Sequence, residues 1–359
     1  MKEQTRTALI RHCKAYPALQ IEDIFKYLFH STMGCEHLVS DADAALRYMQ
    51  SEYAAMREAT DPRIDELDGA YSRVHLGMLS QGLRPETLAK LFCLSAKHEP
   101  NGKMLLAQKL EVARTLIEDG TLPLNLAEFD RKLAAWRDAD FPAVHHSSAF
   151  REHYHPAYRV LANRYVGYLP LFCEIDKLLA QGNTTVAIEG GSASGKTTLA
   201  SLLQEVYPCN VFHTDDFFLR PEQRTPARLA EPGGNLDRER FADDVLRPVC
   251  AKAPVCYSRF DCATQTLSEP ICVPPAALTI IEGAYSLHPA FGRYYDLAVF
   301  LDIDPDLQQK RISVRNSPQM AKRFFAEWIP MENTYFAAFD IKSKADLLLH
   351  VREDCAWLK

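Results

Sequence analysis

The spacing of apolar residues divides the chain into two regions with different periods. Over residues 1–160 apolar positions recur every three or four residues, as on one face of an α-helix. From residue 183 onwards short apolar runs alternate with helical patterns, as in a parallel sheet with helices on both faces. The pattern predicts an all-α helical domain over 1–160, a connecting helix over 161–182 and an α/β domain over 183–359.

The helical region carries start signals for several helices joined by short connections. The first helix follows Pro17, the next is capped by Ser40 or Asp41, and later ones open at Pro85 and Asn125. Short connections between amphipathic helices predict an antiparallel bundle.

The stretch 158–181 has the apolar spacing of one long helix, or of two helices broken at Pro170. It is more apolar than a free linker, so we expect it to hold the two domains together. Gly182 ends the helical pattern before the first strand.

In the second region the predicted strands are 184–189, 210–214, 255–258, 278–282, 297–302 and 345–351. Helical patterns lie between them, at 197–206, 237–250, 305–316 and 319–339. In open parallel sheets, ligands bind beyond the carboxyl ends of the strands. Catalytic and ligand-binding residues are therefore expected just after each apolar run.

A phosphate-binding loop follows the first of these strands. The segment GGSASGKTT fits G-x-x-x-x-G-K-[ST] and lies between a predicted strand and a predicted helix. Glycines let loop amides approach a polyphosphate, and the helix that follows favours anions at its start. The residues predicted to bind the nucleotide are Gly190, Gly191, Ser192, Ala193, Ser194, Gly195, Lys196, Thr197 and Thr198. Lys196 is expected to reach the β/γ-phosphates and Thr197 to bind Mg²⁺.

Acidic residues follow two other strands. Asp215 comes after the second strand and Glu282 ends the strand 278–282. We expect Asp215 to act as a general base and Glu282 to bind Mg²⁺ through water. Either carboxylate could instead only cap the segment that follows it.

A cationic helix is predicted to open at Asp304-Pro305. Arg311 and Arg315 are four residues apart on it and share one face, where they could neutralise charge on a transferring phosphoryl group. A solvated face is the alternative. Ser317-Pro318 breaks the helix, as expected for a hinged lid.

Composition and charge argue against some classes of binding partner. The net charge is −6, so general affinity for nucleic acid or acidic membranes is not expected. No run is long and apolar enough to span a bilayer, and the start lacks an apolar signal core. The ten cysteines contain no C-x-x-C pair, so we expect reduced thiols in a cytoplasmic protein. Whether the chain forms a homo-oligomer stays open.

Three groups of residues leave a metal site as an alternative. In the helical region these are the histidines 145, 146, 153 and 155 and the triplet Cys35-Glu36-His37; in the second region it is the cysteine set 250, 256, 262 and 272. None has a common ligand spacing, so loop, core or capping roles are favoured.

Taken together, the motifs resemble the uridine kinase, phosphoribulokinase and nicotinamide riboside kinase superfamily over about residues 183–352. The resemblance rests on GGSASGKTT, HTDDFF, Asn235-Leu236-Asp237, Pro254-Val255-Cys256-Tyr257, IIEGAYSL and FLDIDPDLQQKRISVR. It implies a P-loop kinase fold with Asp215 as catalytic base and Glu282 in the place of the family's acid. It also implies that Asp237 and Tyr257 contact the acceptor.

Two segments depart from the uridine kinase pattern. The family's Arg-Gly-Arg lid is replaced by the segment 317–323, and the pocket segment 258–262 lacks the family's histidine. The identity of the acceptor therefore stays open.

The sequence predicts an ATP- and Mg²⁺-dependent kinase acting on a hydroxyl of a nucleoside or ribose-like small molecule. One alternative is a P-loop ATPase switch whose hydrolysis is sensed by the helical domain. Another is a bifunctional enzyme with separate chemistry in residues 1–160.

Overall fold

The computed structural model describes residues 2–35, 41–56, 61–96, 99–353 and 356–358. They form two compact units, Met1–Leu169 and Pro170–Lys359. Within the described residues, no helix combines the length and the apolarity needed to cross a membrane.

The N-terminal unit is mainly helical, as predicted. Its helices are α1 Lys2–Ala15, α2 Ile21–Met33, α3 Ala42–Ala55, α4 Pro85–Ser95, α5 Gly102–Glu118, α6 Leu126–Asp138, α7 Ser148–Tyr154 and α8 Asn163–Val166. Helix starts follow local chemistry: Asp41 and Asn125 accept backbone N–H bonds at the starts of α3 and α6. The predicted alternative cap Ser40 lies outside the described residues.

A small antiparallel sheet, which helical periodicity did not predict, completes this unit. Its strands are β1 Ile64–Glu66, β2 Tyr71–His75 and β3 Tyr158–Ala162, in the order β1-β2-β3. The prediction of helix from residue 158 was therefore wrong for β3. Its backbone bonds go to β2, where Tyr158 pairs with His75 and Ala162 with Tyr71. The apolar spacing of residues 158–162 fits either a helix or a strand, and pairing with β2 decides for the strand.

The C-terminal unit is an α/β fold with a central parallel sheet, as predicted. The strands of this sheet are β4 Thr184–Gly190, β5 Cys209–His213, β10 Leu278–Glu282, β11 Leu297–Ile303, β12 Leu347–Val351 and β13 Ala356–Leu358. The strand order is β13-β12-β11-β4-β10-β5, with β13 antiparallel at one edge. Every residue of β10 is buried, as in a sheet covered on both faces.

Helices accompany this sheet in the order that the sequence predicts. They are α9 Leu169–Leu179, α10 Lys196–Val206, α11 Pro226–Leu229, α12 Arg238–Phe241, α13 Arg247–Cys250, α14 Pro305–Arg315, α15 Pro318–Arg323 and α16 Ile329–Phe339. Asp304 caps α14 by accepting the Asp306 N–H at 2.9 Å, with Pro305 at the first helical position.

One predicted strand does not belong to the parallel sheet. The structure places β6 Val255–Tyr257 antiparallel to β9 Ile271–Val273, and a second small pair joins β7 Phe260–Asp261 to β8 Thr266–Leu267. Cys256 and Cys272 lie directly opposite each other in the first pair and form a disulfide. The expectation that all cysteines are reduced thiols is therefore wrong at these two positions, because strand pairing brings their Cβ atoms together.

Candidate active site

The phosphate-binding loop leaves the carboxyl end of β4, the strand between β10 and β11. Three of its residues adopt positive φ angles: Gly190 at 149°, Ala193 at 60° and Gly195 at 102°. A Cβ on Gly190 would lie 2.6 Å from the Leu301 carbonyl oxygen, so only glycine fits beside β11. The residue types in the motif thus follow from backbone shape.

Two side chains of the loop, Lys196 and Ser194, differ in whether they have hydrogen-bond partners. The Lys196 amine donates to the carbonyl oxygens of Gly190 and Gly191 at 2.7 and 3.0 Å. The Ser194 hydroxyl is buried and has no partner among the described residues. Thr198, predicted to bind the nucleotide, is exposed.

The acid at the end of β10 meets the threonine of the loop. Glu282 is 4% exposed, and its Oε1 accepts hydrogen bonds from Thr197 Oγ1 at 2.9 Å and His213 Nδ1 at 2.6 Å. The bond to Glu282 raises the pKa of His213 and so favours its charged form. His213 pairs with Glu282 across β5 and β10, yet the sequence analysis gave it no role.

The second predicted acid lies two residues beyond β5. Asp215 is reached by solvent but is surrounded by protein, and this desolvation raises the pKa of its carboxyl. Lys196 opposes the rise, while the carboxylates of Glu282 and Glu332 add to it. Asp215 follows β5, and β5 pairs with β10, so it lies just beyond the end of the strand next to the one that carries Glu282.

The two strand ends that carry these acids are in close contact. Thr214 Oγ1 donates to the Ala284 carbonyl oxygen at 2.8 Å. Gly283 has a φ of 137°, and a Cβ there would lie 1.9 Å from Thr214 Oγ1. A side chain at position 283 would therefore separate the two strand ends.

The buried carboxylate of Glu189 holds the start of the loop by hydrogen bonds. Glu189 is fully buried, and its Oε1 accepts the N–H groups of Gly190 at 2.9 Å and Tyr285 at 3.2 Å. Its Oε2 accepts the Leu287 N–H at 3.1 Å and the Tyr335 hydroxyl at 3.0 Å. Burial raises the pKa of Glu189 to about 7 although all four donors favour the charged form.

A second carboxylate, on α16, binds the loop from outside. Glu332 is 6% exposed and accepts the Ser192 N–H at 2.8 Å and the Ser192 hydroxyl at 2.6 Å. On α14, Gln308 donates to the Ser192 carbonyl at 2.8 Å and Arg311 to the Ala193 carbonyl at 3.2 Å. Arg311 thus lies against the loop, where it donates to a carbonyl group; its predicted role in phosphoryl transfer stays a prediction.

The other predicted arginine does not join the site in this structure. Arg315 is exposed, and its guanidinium lies 5.7 Å from the centre of the Phe324 ring. Position on the same helix face as Arg311 did not bring it to the loop.

The two residues expected to contact an acceptor have structural partners. Asp237 is 1% exposed; it caps α12 and accepts the Gln223 amide at 3.0 Å. Tyr257 is 4% exposed, and its ring stacks on Phe217 with the ring centres 5.6 Å apart. By contrast, Asn235 Oδ1 is buried with no hydrogen-bond partner among the described residues.

The residues present fit a magnesium–nucleotide complex. Mg²⁺ in such sites takes one or two protein oxygens and the phosphate oxygens of the nucleotide. Thr197 Oγ1 and Glu282 Oε1 supply a hydroxyl and a carboxylate oxygen 2.9 Å apart. The unpartnered Ser194 hydroxyl and the open space above Gly195 suit a phosphate group.

The candidate metal groups take other roles. His146 hydrogen-bonds Asp23 at 2.7 Å and Tyr158 at 2.6 Å, while His145, His153 and His155 are exposed. Cys250 and Cys262 are exposed free thiols. Cys35 is buried, and Glu36 and His37 lie outside the described residues. Among the described residues no three His, Cys, Asp or Glu side chains converge as metal ligands.

Comparison with known proteins gives only distant likeness. No protein-family model matches the chain, and no curated protein sequence matches it significantly. One similar solved structure is a possible uridine kinase from Bacillus stearothermophilus, with 22% identity and a TM-score of 0.37 over 50% of this chain and 98% of that chain.

Two further solved structures are kinases. A putative fructose transport system kinase from Silicibacter has 22% identity and a TM-score of 0.34, over 44% of this chain and 85% of that chain. A shikimate kinase from Bacteroides thetaiotaomicron has 13% identity and a TM-score of 0.26, over 47% and 86%. Each of these matches covers about half of this chain, at a TM-score below 0.4.

Proposed function

We propose that the chain is an ATP- and Mg²⁺-dependent kinase that phosphorylates a hydroxyl group of a small molecule, in the class of nucleosides and ribose-like polyols. The observation that carries the proposal is the meeting of three groups at the loop. Lys196 lies in the loop itself, Glu282 is bonded to Thr197, and Asp215 follows β5, the strand that pairs with the Glu282 strand β10.

The residues divide the work of phosphoryl transfer. The loop amides and Lys196 bind the β/γ-phosphates and Arg311 reinforces the loop, while Thr197 and Glu282 hold Mg²⁺, which screens the phosphate charge. Asp215 accepts the proton of the acceptor hydroxyl. Its raised pKa brings it closer to that of a useful base at neutral pH. His213, whose pKa is raised by its bond to Glu282, keeps that carboxylate oriented.

The region beside Asp215 supports a polar acceptor. Asn235 is partly buried and its side chain hydrogen-bonds Tyr285, while its Oδ1 has no donor among the described residues and can accept one from a ligand. A hydroxyl-rich substrate offers such a donor. Asp237 and Tyr257 then shape the pocket from behind, through the α12 cap and the packing on Phe217.

Steady-state ATP consumption, with and without a panel of nucleosides and polyols, tests the proposal. We expect turnover that depends on both Mg²⁺ and one class of acceptor. Asp215→Asn should lower acceptor-dependent kcat by about 10²–10⁴-fold, the usual share of a general base, and leave ATP binding intact.

Asp216 provides the matched control variant. It is the next residue, but its carboxylate lies 3.3 Å from Arg259, so Asp216→Asn should retain most of the turnover. Acceptor-independent hydrolysis that Asp215→Asn does not alter would refute the kinase and favour the ATPase switch.

A further inference from the structure

An unpaired buried arginine lies in the N-terminal unit. Arg73 is in the middle of β2, opposite Asp65 on β1 and Val160 on β3. It is 1% exposed. Its Nε and Nη2 atoms are buried without a hydrogen-bond partner in the described part of the chain.

The nearby carboxylates are already committed to other donors. Asp65 Oδ2 accepts hydrogen bonds from His75 Nε2 at 2.9 Å and from the Tyr16 hydroxyl at 2.9 Å, and its Oδ1 forms an ion pair with Arg63 Nε at 3.0 Å. These bonds, and not Arg73, account for its low pKa of about 2, against the effect of its burial.

Asp23, the other acid near this cluster, is likewise saturated. Its two oxygens accept His146 Nδ1 at 2.7 Å, the N–H and hydroxyl of Ser147 at 3.1 and 2.6 Å, and the Gln20 N–H at 2.9 Å. Both acids can offset the charge of Arg73 from a distance, but neither satisfies its N–H groups.

The groups around Arg73 are donors and aromatic faces. Its guanidinium lies 4.8 Å from the centre of the Tyr158 ring and 5.6 Å from that of Tyr27. The His12 ring packs on Tyr27 at 4.4 Å, and its buried Nε2 has no partner in the described residues. Burial and the Arg73 charge hold the pKa of His12 well below its usual value.

Leaving a charged group buried with unsatisfied N–H bonds is strongly unfavourable. Cation–π contacts recover only a part of that free energy. A planar or tetrahedral oxyanion would pair two guanidinium nitrogens at once, the geometry that arginine favours. His12 Nε2 is a further potential donor to such an ion.

We propose that Arg73 and His12 form a second ligand site, separate from the phosphate-binding loop, that takes the carboxylate or phosphate group of a small molecule. The rings of Tyr27 and Tyr158 lie against the guanidinium in the middle of β2. Its ligand is bound by the oxyanion group, since Arg73 Nε, Arg73 Nη2 and His12 Nε2 are all potential donors without partners in the described residues.

The test uses the full-length chain carrying Lys196→Ala, which weakens phosphate binding at the loop. The protein is labelled with ¹⁵N-arginine and titrated with inorganic phosphate or acetate at constant ionic strength. We expect the Nε–H signal of Arg73 to shift saturably with at least one anion. A response to phosphate alone assigns a phosphate-bearing ligand, and a response to acetate alone assigns a carboxylate.

Arg73→Met removes the charge and keeps the length of the side chain. Calorimetric anion affinity should fall at least about tenfold, the equivalent of one charge-assisted bond. The ligand-free variant should unfold at the same temperature or higher, because an unpaired buried charge is gone. Arg73→Lys provides a charged variant should the methionine variant not fold, and it should also weaken binding because it lacks the guanidinium fork.

Arg159 is the matched control. It is also buried and its Nη2 has no partner in the described residues, but its charge is paired, because its Nη1 donates to Glu52 at 2.8 Å. Arg159→Met should lower stability and leave the anion response unchanged. The proposal is overturned if the Arg73 signal moves with neither anion, or if calorimetric binding is the same with and without the Arg73 guanidinium.

Discussion

Replacing Glu189 with glutamine tests how the phosphate-binding loop is supported. The carboxylate accepts two donors on each oxygen: Gly190 N–H and Tyr285 N–H on Oε1, and Leu287 N–H and the Tyr335 hydroxyl on Oε2. A glutamine keeps the shape but changes one acceptor oxygen into an NH₂ donor.

The least costly orientation puts that NH₂ group at the Oε2 position. The Tyr335 hydroxyl can rotate there and become an acceptor, but the Leu287 N–H cannot. One buried backbone N–H is then left unpaired, which costs about 1–3 kcal/mol. We expect Glu189→Gln to lower the free energy of unfolding of the C-terminal unit by that amount near pH 6.

The pKa of Glu189 also predicts how the stability of the C-terminal unit changes with pH. Burial raises the pKa of folded Glu189 to about 7 from 4.5, so the folded state binds the proton more tightly than the unfolded chain does. This contribution to stability is fully present below pH 4.5 and is lost as the pH rises through 7. The loss is about 3 kcal/mol for a shift of this size. Glutamine cannot titrate, so the variant should lack this decline.

Urea unfolding followed by tryptophan fluorescence measures both effects. The chain has three tryptophans, and a Trp136→Phe background leaves only Trp328 and Trp357, which are both in the C-terminal unit. The exposed Glu269→Gln change in the same unit serves as the control. A Glu189→Gln protein with unchanged stability and the same pH slope as its parent would refute this account of Glu189.

Three further predictions concern the loop. Thr197→Ala should raise the Mg²⁺ concentration needed for half-maximal ATP turnover, because a hydroxyl ligand is lost; an unchanged Mg²⁺ titration would contradict this role. Glu332→Gln should tighten ATP binding by about tenfold, since the carboxylate competes with phosphate for the Ser192 N–H and one such bond is worth about 1.4 kcal/mol; weaker binding by calorimetry would instead make Glu332 a support of the loop. The acidic limb of kcat/KM should lie above the ordinary pKa of aspartic acid, because burial raises the pKa of Asp215 and activity is lost as it is protonated; a limb that Asp215→Asn leaves in place would belong to another group.

The loop and the strand ends were predictable because their signals are local. Glycines occur in the loop where the neighbouring strand leaves no room for a side chain, as at Gly190 beside Leu301. Asp215 and Glu282 follow apolar runs directly, and parallel pairing places such ends at one edge of a sheet.

Other site residues carry no local signal. Glu332 is 140 positions from Ser192 in the chain, and only the packing of α16 brings it to the loop. Arg315 shares a face with Arg311, but the helix places only Arg311 near a loop carbonyl. Helical spacing predicts a common face and not the direction of each long side chain.

The N-terminal sheet shows a different limit. β2 is almost entirely buried, with the arginine in its centre as deep as the apolar residues around it. A charged residue in a five-residue strand breaks the apolar alternation that reveals strands in sequence. The feature that hides this strand from prediction is also the one that suggests a ligand site.

The contact between Thr214 and Gly283 has a consequence for how this unit could diversify. Because main-chain atoms and the Cβ and hydroxyl of Thr214 fill the gap, the spacing between the proposed proton acceptor Asp215 and the proposed metal-binding acid Glu282 is set by the peptide backbone. The chemical step is thereby insulated from changes in the segments 217–237 and 255–273. Those segments could be remodelled for a new acceptor while the distance that governs transfer stays the same.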